Sequence, residues 1–399
     1  MLDVAVIGTG GIARAHLRGY LEFPDQCRVT ALVDVEPTRA VVLAEEFGLD
    51  GAQVLSSHAA LAGGGVDLVS VCTPPSTHAP IAIDLLRAGM NVLVEKPMAP
   101  SVAECDAIIA AARESGRLLS VVAQNRFRDD LSTLKEAIDS GLLGPVTHLA
   151  VDSSWWRGLP YYDLAWRGTW ESEGGGPTLN HAIHHIDLML WLLGSAPQAV
   201  AAMMTNAAHE NSEVEDLSVA VLRYERALAR LTSSVVHHGE QQSIVVQGRD
   251  AAVGQPWAVH AEHSGSNGFP APDGDAGLVE RLDELAAAHV PLEHTGHTGQ
   301  IADVLDAVAT GRRPVVTGDD GRLTVEVVTA IYQAAIEERT VALPLPLDDA
   351  YYTGEGLVEN APRFFPKARS VAALDGAITV PGTDPAPQAN PVTPKESVK

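Results

Sequence analysis

Cysteine is scarce and scattered: Cys27, Cys72 and Cys105 are the only three, and no two form a C-x-x-C pair. That spacing argues against a disulfide-stapled secreted scaffold or a cysteine-based zinc site and fits buried thiols in a reducing cytosol. Aromatic residues make up 5% of the chain. No apolar run approaches the roughly 20 residues that a membrane-spanning helix needs. Met1 runs directly into an apolar segment over residues 2–7 with no basic region or cleavage site, so no secretory leader is expected and a cytoplasmic location follows. Positive charge is in deficit, with 27 Lys and Arg against 51 Asp and Glu and a formal net charge of −24. Such a balance favours solubility and argues against nucleic acid or an anionic membrane as partner. An anionic small molecule stays open, because local arginines can override the global field.

What is present is ordinary globular material, 46% apolar over 399 residues, long enough that two domains are expected. Strand-like segments at 2–7, 28–33, 68–72, 91–94 and 118–122 alternate with helical patterns at 12–22, 37–47, 80–88 and 102–115. Pro37 and Pro80 suit first helical turns, and Gly48, Gly89 and Gly116 suit helix stops. This alternation predicts an α/β domain with a parallel sheet over residues 1–125. From 126 to 345 the pattern changes to β-type segments near 146–156, 198–204, 217–224, 228–237 and 242–246. Few helices separate them, so an α+β domain with a mostly antiparallel sheet is expected. One continuous helix is predicted over 178–193, stopped by Gly194 and Pro197, and two more at 299–310 and 319–339. Residues 346–375 form a C-terminal extension, and the proline-rich stretch 376–399 is expected to be disordered.

The first βα turn reads Gly8-Thr9-Gly10-Gly11-Ile12-Ala13, a G-x-G-x-x-A pattern. Gly8 allows the tight turn, Gly10 lets backbone approach a pyrophosphate, Ala13 permits close helix–sheet packing, and the helix start that follows favours the anion. Asp34 ends the second strand, where a carboxylate accepts from a ribose diol and repels a 2′-phosphate. NAD is therefore expected in preference to NADP, with Arg39 near enough in sequence to soften the choice; as an alternative, Asp34 caps the helix before Pro37. Thr73-Pro74-Pro75 and His78 follow the fourth strand, either as a plain turn or as a wall of the cofactor crevice. Glu95-Lys96-Pro97 closes the strand at 91–94, at the carboxyl end where open α/β sheets bind ligands. Read alone, Lys96 is either a catalytic ammonium or a surface cation at a strand end.

A second constellation is Gly174-Gly175-Gly176-Pro177, followed by Asn180, His184 and Asp187. Their spacing puts all three on one face of the predicted helix. The triple glycine suggests backbone passing close to a ligand. His181 and His185 also stand four apart, a zinc-like spacing, but the glutamate of an H-E-x-x-H site is missing and no metal is expected. Just upstream, Trp155, Trp156, Arg157, Tyr161, Tyr162, Trp166, Arg167 and Trp170 gather four of the chain's 6 tryptophans. Aromatic faces and arginine forks suit a sugar; the alternative is an aromatic core or a subunit interface. Trp155 and Trp156 point to opposite faces if they lie in a strand, so at most one of them lines a pocket.

Four features in this order resemble the Gfo/Idh/MocA oxidoreductases: the GxGxxA turn, Thr73-Pro74-Pro75 with His78, Glu95-Lys96-Pro97, and the Gly-Gly-Gly…His…Asp segment. The resemblance covers roughly residues 1 to 345, and the Glu-Lys-Pro tripeptide is its most specific part. It implies a Rossmann domain followed by an α+β domain with an open, mostly antiparallel sheet. It also implies nicotinamide-dependent chemistry on sugars, cyclitols or their derivatives, in a homodimer or homotetramer paired through the second-domain sheet. By the same resemblance, Gly8, Gly10, Gly11, Ile12, Ala13, Asp34, Thr73, Pro74, His78, Glu95, Lys96, Trp166 and Arg167 would hold the cofactor. Arg126, Arg157, Tyr162, Asn180, His184 and Asp187 would face the substrate. The family has aspartate where this chain has Asn180. An amide cannot serve as base, so His184 is expected to take the hydroxyl proton, with Lys96 polarising the reacting oxygen and Asn180 beside them. Two other readings remain open at this point: a glycoside-cleaving enzyme that oxidises its substrate transiently, and a non-catalytic NAD-sensing regulator.

Overall fold

The computed structural model describes residues 1–371; the stretch from 376 expected to be disordered lies outside the described residues. The chain opens with β1 (Leu2–Ile7), α1 (Ala13–Leu21), β2 (Cys27–Val33), α2 (Pro37–Glu46), β3 (Gln53–Leu55), β4 (Leu68–Val71), α3 (His78–Arg87), β5 (Asn91–Val94), α4 (Val102–Ser115) and β6 (Leu119–Val121). These six strands form one parallel sheet in the order β3-β2-β1-β4-β5-β6. Every residue of β4 and the last three of β5 are buried, because helices cover both faces of a parallel sheet. The strand order reverses between β1 and β4, which opens a crevice at their carboxyl ends. β3, three residues long, carries too short a pattern to be read from sequence.

The second part contains α5 (Asp129–Asp139), β7 (Val146–Trp156), α6 (Trp170–Glu173), α7 (Pro177–Asn180), α8 (Ile183–Leu193), β8 (Ala199–Thr205), β9 (Leu217–Arg223), β10 (Leu228–Ser234), β11 (Val236–Gly248), β12 (Ala251–Gln255) and β13 (Ala258–Ala261). There follow α9 (Ala276–Ala287), α10 (Gly296–Thr310), α11 (Gly318–Glu337), β14 (Val341–Ala342) and α12 (Gly354–Asn360). Eight strands pair in the order β13-β12-β11-β7-β10-β9-β8-β14. Only the β7–β10 pairing is parallel. The sheet is open and two-faced. In β9, Ser218, Ala220 and Leu222 are buried, while Val219, Val221 and Arg223 are exposed, the period-two signature of one covered face. An α/β Rossmann-like domain joined to an α+β domain is thus the architecture, as the sequence implies.

The helix predicted over 178–193 is broken. His181 and Ala182 both donate their N–H to the Pro177 carbonyl, at 3.0 and 2.8 Å, ending α7 in a wide turn before α8 restarts at Ile183. Asn180 and His184 therefore stand on two short helices rather than on one continuous face. The local cause lies in front of the break. Gly176 and Thr178 donate N–H groups to the buried Glu215 carboxylate at 3.0 and 3.2 Å, and Tyr332 donates its hydroxyl to it at 3.0 Å. A Cβ at Gly176 would strike the Glu215 carbonyl, and one at Gly175 (φ +153) would strike the Tyr332 hydroxyl. The glycines make room for Glu215 and Tyr332, which is a packing reason distinct from the ligand approach expected of them.

Several ties join the two parts, and three of them lie around β6. Gln300 on α10 donates to the Val121 carbonyl at 2.7 Å and accepts from the Ala123 N–H at 2.9 Å. Gly318 and Gly321 let α11 lie on β6, where an added Cβ would come within 2.6 Å of Leu119 and of Val121. Arg126, buried after β6, forms a two-pronged pair with Asp187 of α8 (2.9 and 2.7 Å) and also reaches Asp320 of α11 at 3.2 Å. Burial raises the Asp187 pKa and the Arg126 charge opposes it. Removing one partner of such a buried pair strands the other charge. Asp187→Ala is expected to lower unfolding free energy by about 3–5 kcal/mol, read as a lower urea midpoint at unchanged slope.

Candidate active site

The crevice begins at the glycine turn. Gly8 has φ +86, and a Cβ there would lie 2.6 Å from the Cys72 carbonyl, so only glycine fits between β1 and the end of β4. Gly10 and Gly11 are exposed with open space above them. Ile12 is half-buried and Ala13 is buried against the sheet. The first turn of α1 carries neither a side-chain cap nor an acidic residue, leaving its N–H groups for an anion. Asp34 accepts from Thr9 N–H (2.9 Å), Thr9 hydroxyl (2.6 Å) and Glu36 N–H (2.9 Å). Burial would raise the Asp34 pKa, but those hydrogen bonds and the Arg39 charge bring it below its ordinary value, so a carboxylate stands at the ribose end. Arg39 is paired with Glu36 at 2.9 Å. A cradle of bare glycines, an uncapped helix start and a strand-end carboxylate fit NAD.

The loops after β4 and β5 are tied by one ring. His78 is buried, with Nδ1 2.9 Å from the Pro97 carbonyl and Nε2 2.8 Å from the Thr73 carbonyl. Thr73 in turn accepts from the Thr77 hydroxyl at 2.7 Å, and Pro74 is exposed beside it. This clamp sets the backbone from which Glu95 and Lys96 project. Glu95 is buried and points under the loop. Its carboxylate lies 3.0 Å from His16 Nε2 and 3.8 Å from His297 Nε2, and it accepts from the Lys96 N–H at 3.1 Å. Burial opposes its charge, but His16, His297 and Lys96 hold its pKa down at about 2. Ligand atoms of His16, Glu95 and His297 all lie within 4.8 Å of one another, close enough to surround a metal ion; the His16–Glu95 contact satisfies those atoms without one. His181 and His185 join no such cluster among the described residues.

Lys96 points the other way. Its Nζ donates to the Asn180 carbonyl at 3.4 Å, an oxygen that the break between α7 and α8 frees from the helical ladder. Burial lowers the Lys96 pKa from 10.5, with Glu95 opposing and Arg167 adding to the shift. Lys96, His184 and Asp187 line one small cavity together with Val122 and Ile183. Burial first, then the Lys96 charge, holds His184 well below 6.5. The imidazole is therefore unprotonated at neutral pH, and its pKa lies lower than the near-neutral value expected of a base. Asp187 lines the cavity and meets Arg126 in the pair described above, while Arg126 itself is not among the lining residues.

The aromatic segment packs around two arginines. The Arg167 guanidinium is held between the Tyr161 and Trp166 rings, 4.2 and 4.0 Å from their centroids. It also donates to Glu173 at 2.6 Å. Arg157 donates to Glu240 at 2.9 Å and lies 5.4 Å from the Trp155 ring centre. Trp156 is on the opposite face of β7, 47% exposed. Tyr162 is 1% exposed and packs edge-on against His209; its neighbour Tyr161 supplies the ring facing Arg167 and His181.

Sequence reasoning missed Glu173, Glu215, His16 and His297. Glu173 sits directly before the triple glycine, and its position next to that signal could have drawn attention to it. Glu215 and His297 come from distant segments with no local pattern.

Residues 2–123 match the family described as "Oxidoreductase family, NAD-binding Rossmann fold", and residues 131–254 match "GFO/IDH/MocA C-terminal domain". Inositol 2-dehydrogenase of Rhizobium meliloti is 24% identical over 345 residues, 85% of this chain and 98% of that protein. An uncharacterized oxidoreductase of Streptococcus pneumoniae is 31% identical over 217 residues, and the match spans 54% of this chain and 57% of that protein's length. The solved WlbA dehydrogenase from Bordetella pertussis, in complex with NADH and UDP-GlcNAcA, shares the fold at a TM-score of 0.71 and 26% identity, over 86% of this chain and 99% of that one. With both family domains matched in order along one chain, this protein belongs to the Gfo/Idh/MocA oxidoreductases.

Proposed function

We propose that the protein oxidises a secondary alcohol of a sugar, cyclitol or sugar derivative with NAD. The observation that carries this reading is the half-buried Lys96, held at the end of β5 by the Asn180 carbonyl, with its charge bearing on a neutral His184. The inositol and nucleotide-sugar dehydrogenases among the similar proteins support the substrate class.

Bound NAD would supply the carbon that accepts the hydride, held by the Gly8–Ala13 turn and Asp34. The chain's own residues handle the oxygen and its proton. Lys96 places an ammonium where negative charge builds on the substrate oxygen as its hydrogen leaves, and burial strengthens that interaction. His184, unprotonated, accepts the hydroxyl proton. Arg126, Asp187 and Asp320 hold α8 against the Rossmann sheet and fix the distance between the two groups. Net, the carbinol loses one hydride and one proton and becomes a carbonyl.

We propose further that the protein works in the cytosol, which the three buried free thiols favour. Among the described residues no helix is long and apolar enough to cross a membrane. The open sheet face supports assembly. Met203 is 82% exposed, its partner across the strands, Val219, 41%, and Val221, Leu228 and Val245 are exposed on neighbouring strands. Such a patch suits pairing of two copies. Met203→Glu is expected to shift the particle toward monomer by light scattering, with its fold intact.

Purified protein, NAD and a panel of inositols, hexoses, uronates and glycosides should give NADH absorbance. A free aglycone without NADH would instead favour glycoside cleavage. Lys96→Ala should lose about 10²–10³ in kcat, and retention of full activity would sink the assignment. The pH profile follows from the two shifts. His184 is lowered, so the acidic limb of kcat/KM should lie below 6.5; Lys96 is lowered, so the alkaline limb should lie below 10.5.

A further inference from the structure

We infer that Glu173 is a positioning residue, which fixes the Asn180 amide so that its oxygen, Oδ1, is offered to the substrate hydroxyl; this rests on the dehydrogenase reading above. Asn180 Nδ2 donates to Glu173 Oε1 at 3.0 Å, to the Gly175 carbonyl at 2.8 Å and to the Gly176 carbonyl at 3.2 Å. All three are acceptors. The reversed amide would set Oδ1 against a carboxylate and two carbonyls, so only one orientation is hydrogen-bonded. In that orientation the donors are spent and Oδ1 accepts from no described residue. The same residue's carbonyl already holds Lys96, so the Asn180 side chain stands next to the ammonium that lines the cavity.

Glu173 cannot retreat from this duty. It is buried and accepts from Arg167 Nη1 and the Gly168 N–H, both at 2.6 Å, as well as from Asn180. All three of its hydrogen-bonding neighbours are donors. Burial raises its pKa, and the Arg167 charge, the Gly168 N–H and the Lys367 charge oppose that rise. Arg167 is itself pinned between two aromatic rings. A carboxylate at position 180 would then meet a fixed carboxylate at hydrogen-bond distance, and one of the pair would have to take up a proton. That is a physical reason for asparagine at 180, where the resembled family has aspartate. The side chain at 180 orients the hydroxyl, and the proton is left to His184.

The test is a swap. Asn180→Asp alone should lose roughly 10-fold or more in kcat/KM at neutral pH, the equivalent of one pKa unit of like-charge repulsion. Its pH profile should gain an ionisation that the parent lacks. The double variant Glu173→Gln/Asn180→Asp removes the carboxylate–carboxylate contact while leaving the Gly175 and Gly176 carbonyls in place, so it should recover part of that loss and remove the extra ionisation. NAD affinity should be unchanged throughout, measured by fluorescence titration. The inference is overturned if Asn180→Asp matches the parent in rate and pH profile, or if the swap is no better than Asn180→Asp. Should circular dichroism show both proteins carrying Asn180→Asp to be unfolded, Glu173→Gln alone decides: a fall in kcat with NAD affinity kept supports the role, and an unchanged kcat overturns it. A parent protein that binds NAD yet oxidises no alcohol overturns the dehydrogenase reading and this inference together, an outcome distinct from an active parent with a dead swap.

Discussion

An ammonium drawn partly out of water needs partners that stay in place, and the half-buried Lys96 sets that demand for the whole site. An ammonium taken out of water is costly unless it is paired or hydrogen-bonded. Here the Glu95 carboxylate, turned the other way and accepting only from the Lys96 backbone N–H, favours the cation at a distance, and the Asn180 carbonyl receives its Nζ. The first partner comes from the same strand end and is held by His16 on α1 and, more loosely, by His297 on α10. The second exists only because the helix after the triple glycine is broken; in a continuous helix that carbonyl would accept from the N–H four residues on. The local irregularity is therefore part of the electrostatic design of the cavity.

The break depends on a further buried charge-bearing group. Glu215 gathers Gly176, Thr178 and Tyr332 as donors, and burial pushes its pKa up to about 7. Glycine at 175 and 176 is required by the bulk of Tyr332 and Glu215, so the motif read as a ligand approach is a packing solution that shapes the ligand cavity from behind. Arg126 completes the frame. By meeting Asp187 and Asp320 it connects the last strand of the parallel sheet to two helices of the second part. Positions of Lys96 and His184 relative to each other are thus set by ion pairs that neither residue touches.

The parallel sheet was legible because its strands are buried on both faces and read as short apolar runs between helical patterns. The glycine turn, Asp34 and Glu95-Lys96-Pro97 were legible because each sits at a strand end, where local sequence and site coincide. The break at His181 was not, since the Pro177 carbonyl takes two donors for tertiary reasons that helical periodicity does not carry. Glu215 and His297 were invisible for a related cause: each meets the site across a long sequence separation. Strands β12 and β13 and helix α9 went unread, lying past the last β-type segment recognised. Tyr161 and Tyr162 show the limit of composition. Both belong to one aromatic cluster, yet only the structure separates the ring that faces Arg167 from the one buried beneath it.

The account's central claim is electrostatic: burial first, and then the half-buried Lys96 cation, keep His184 neutral beside the reacting oxygen. The most direct measurement is the NMR titration of His184 in the parent protein and in Lys96→Met. The account predicts that His184 stays neutral down to well below 6.5 in the parent and that its titration moves to higher pH when the cation is removed. A His184 that titrates at or above the ordinary histidine value, indifferent to the loss of Lys96, would contradict it.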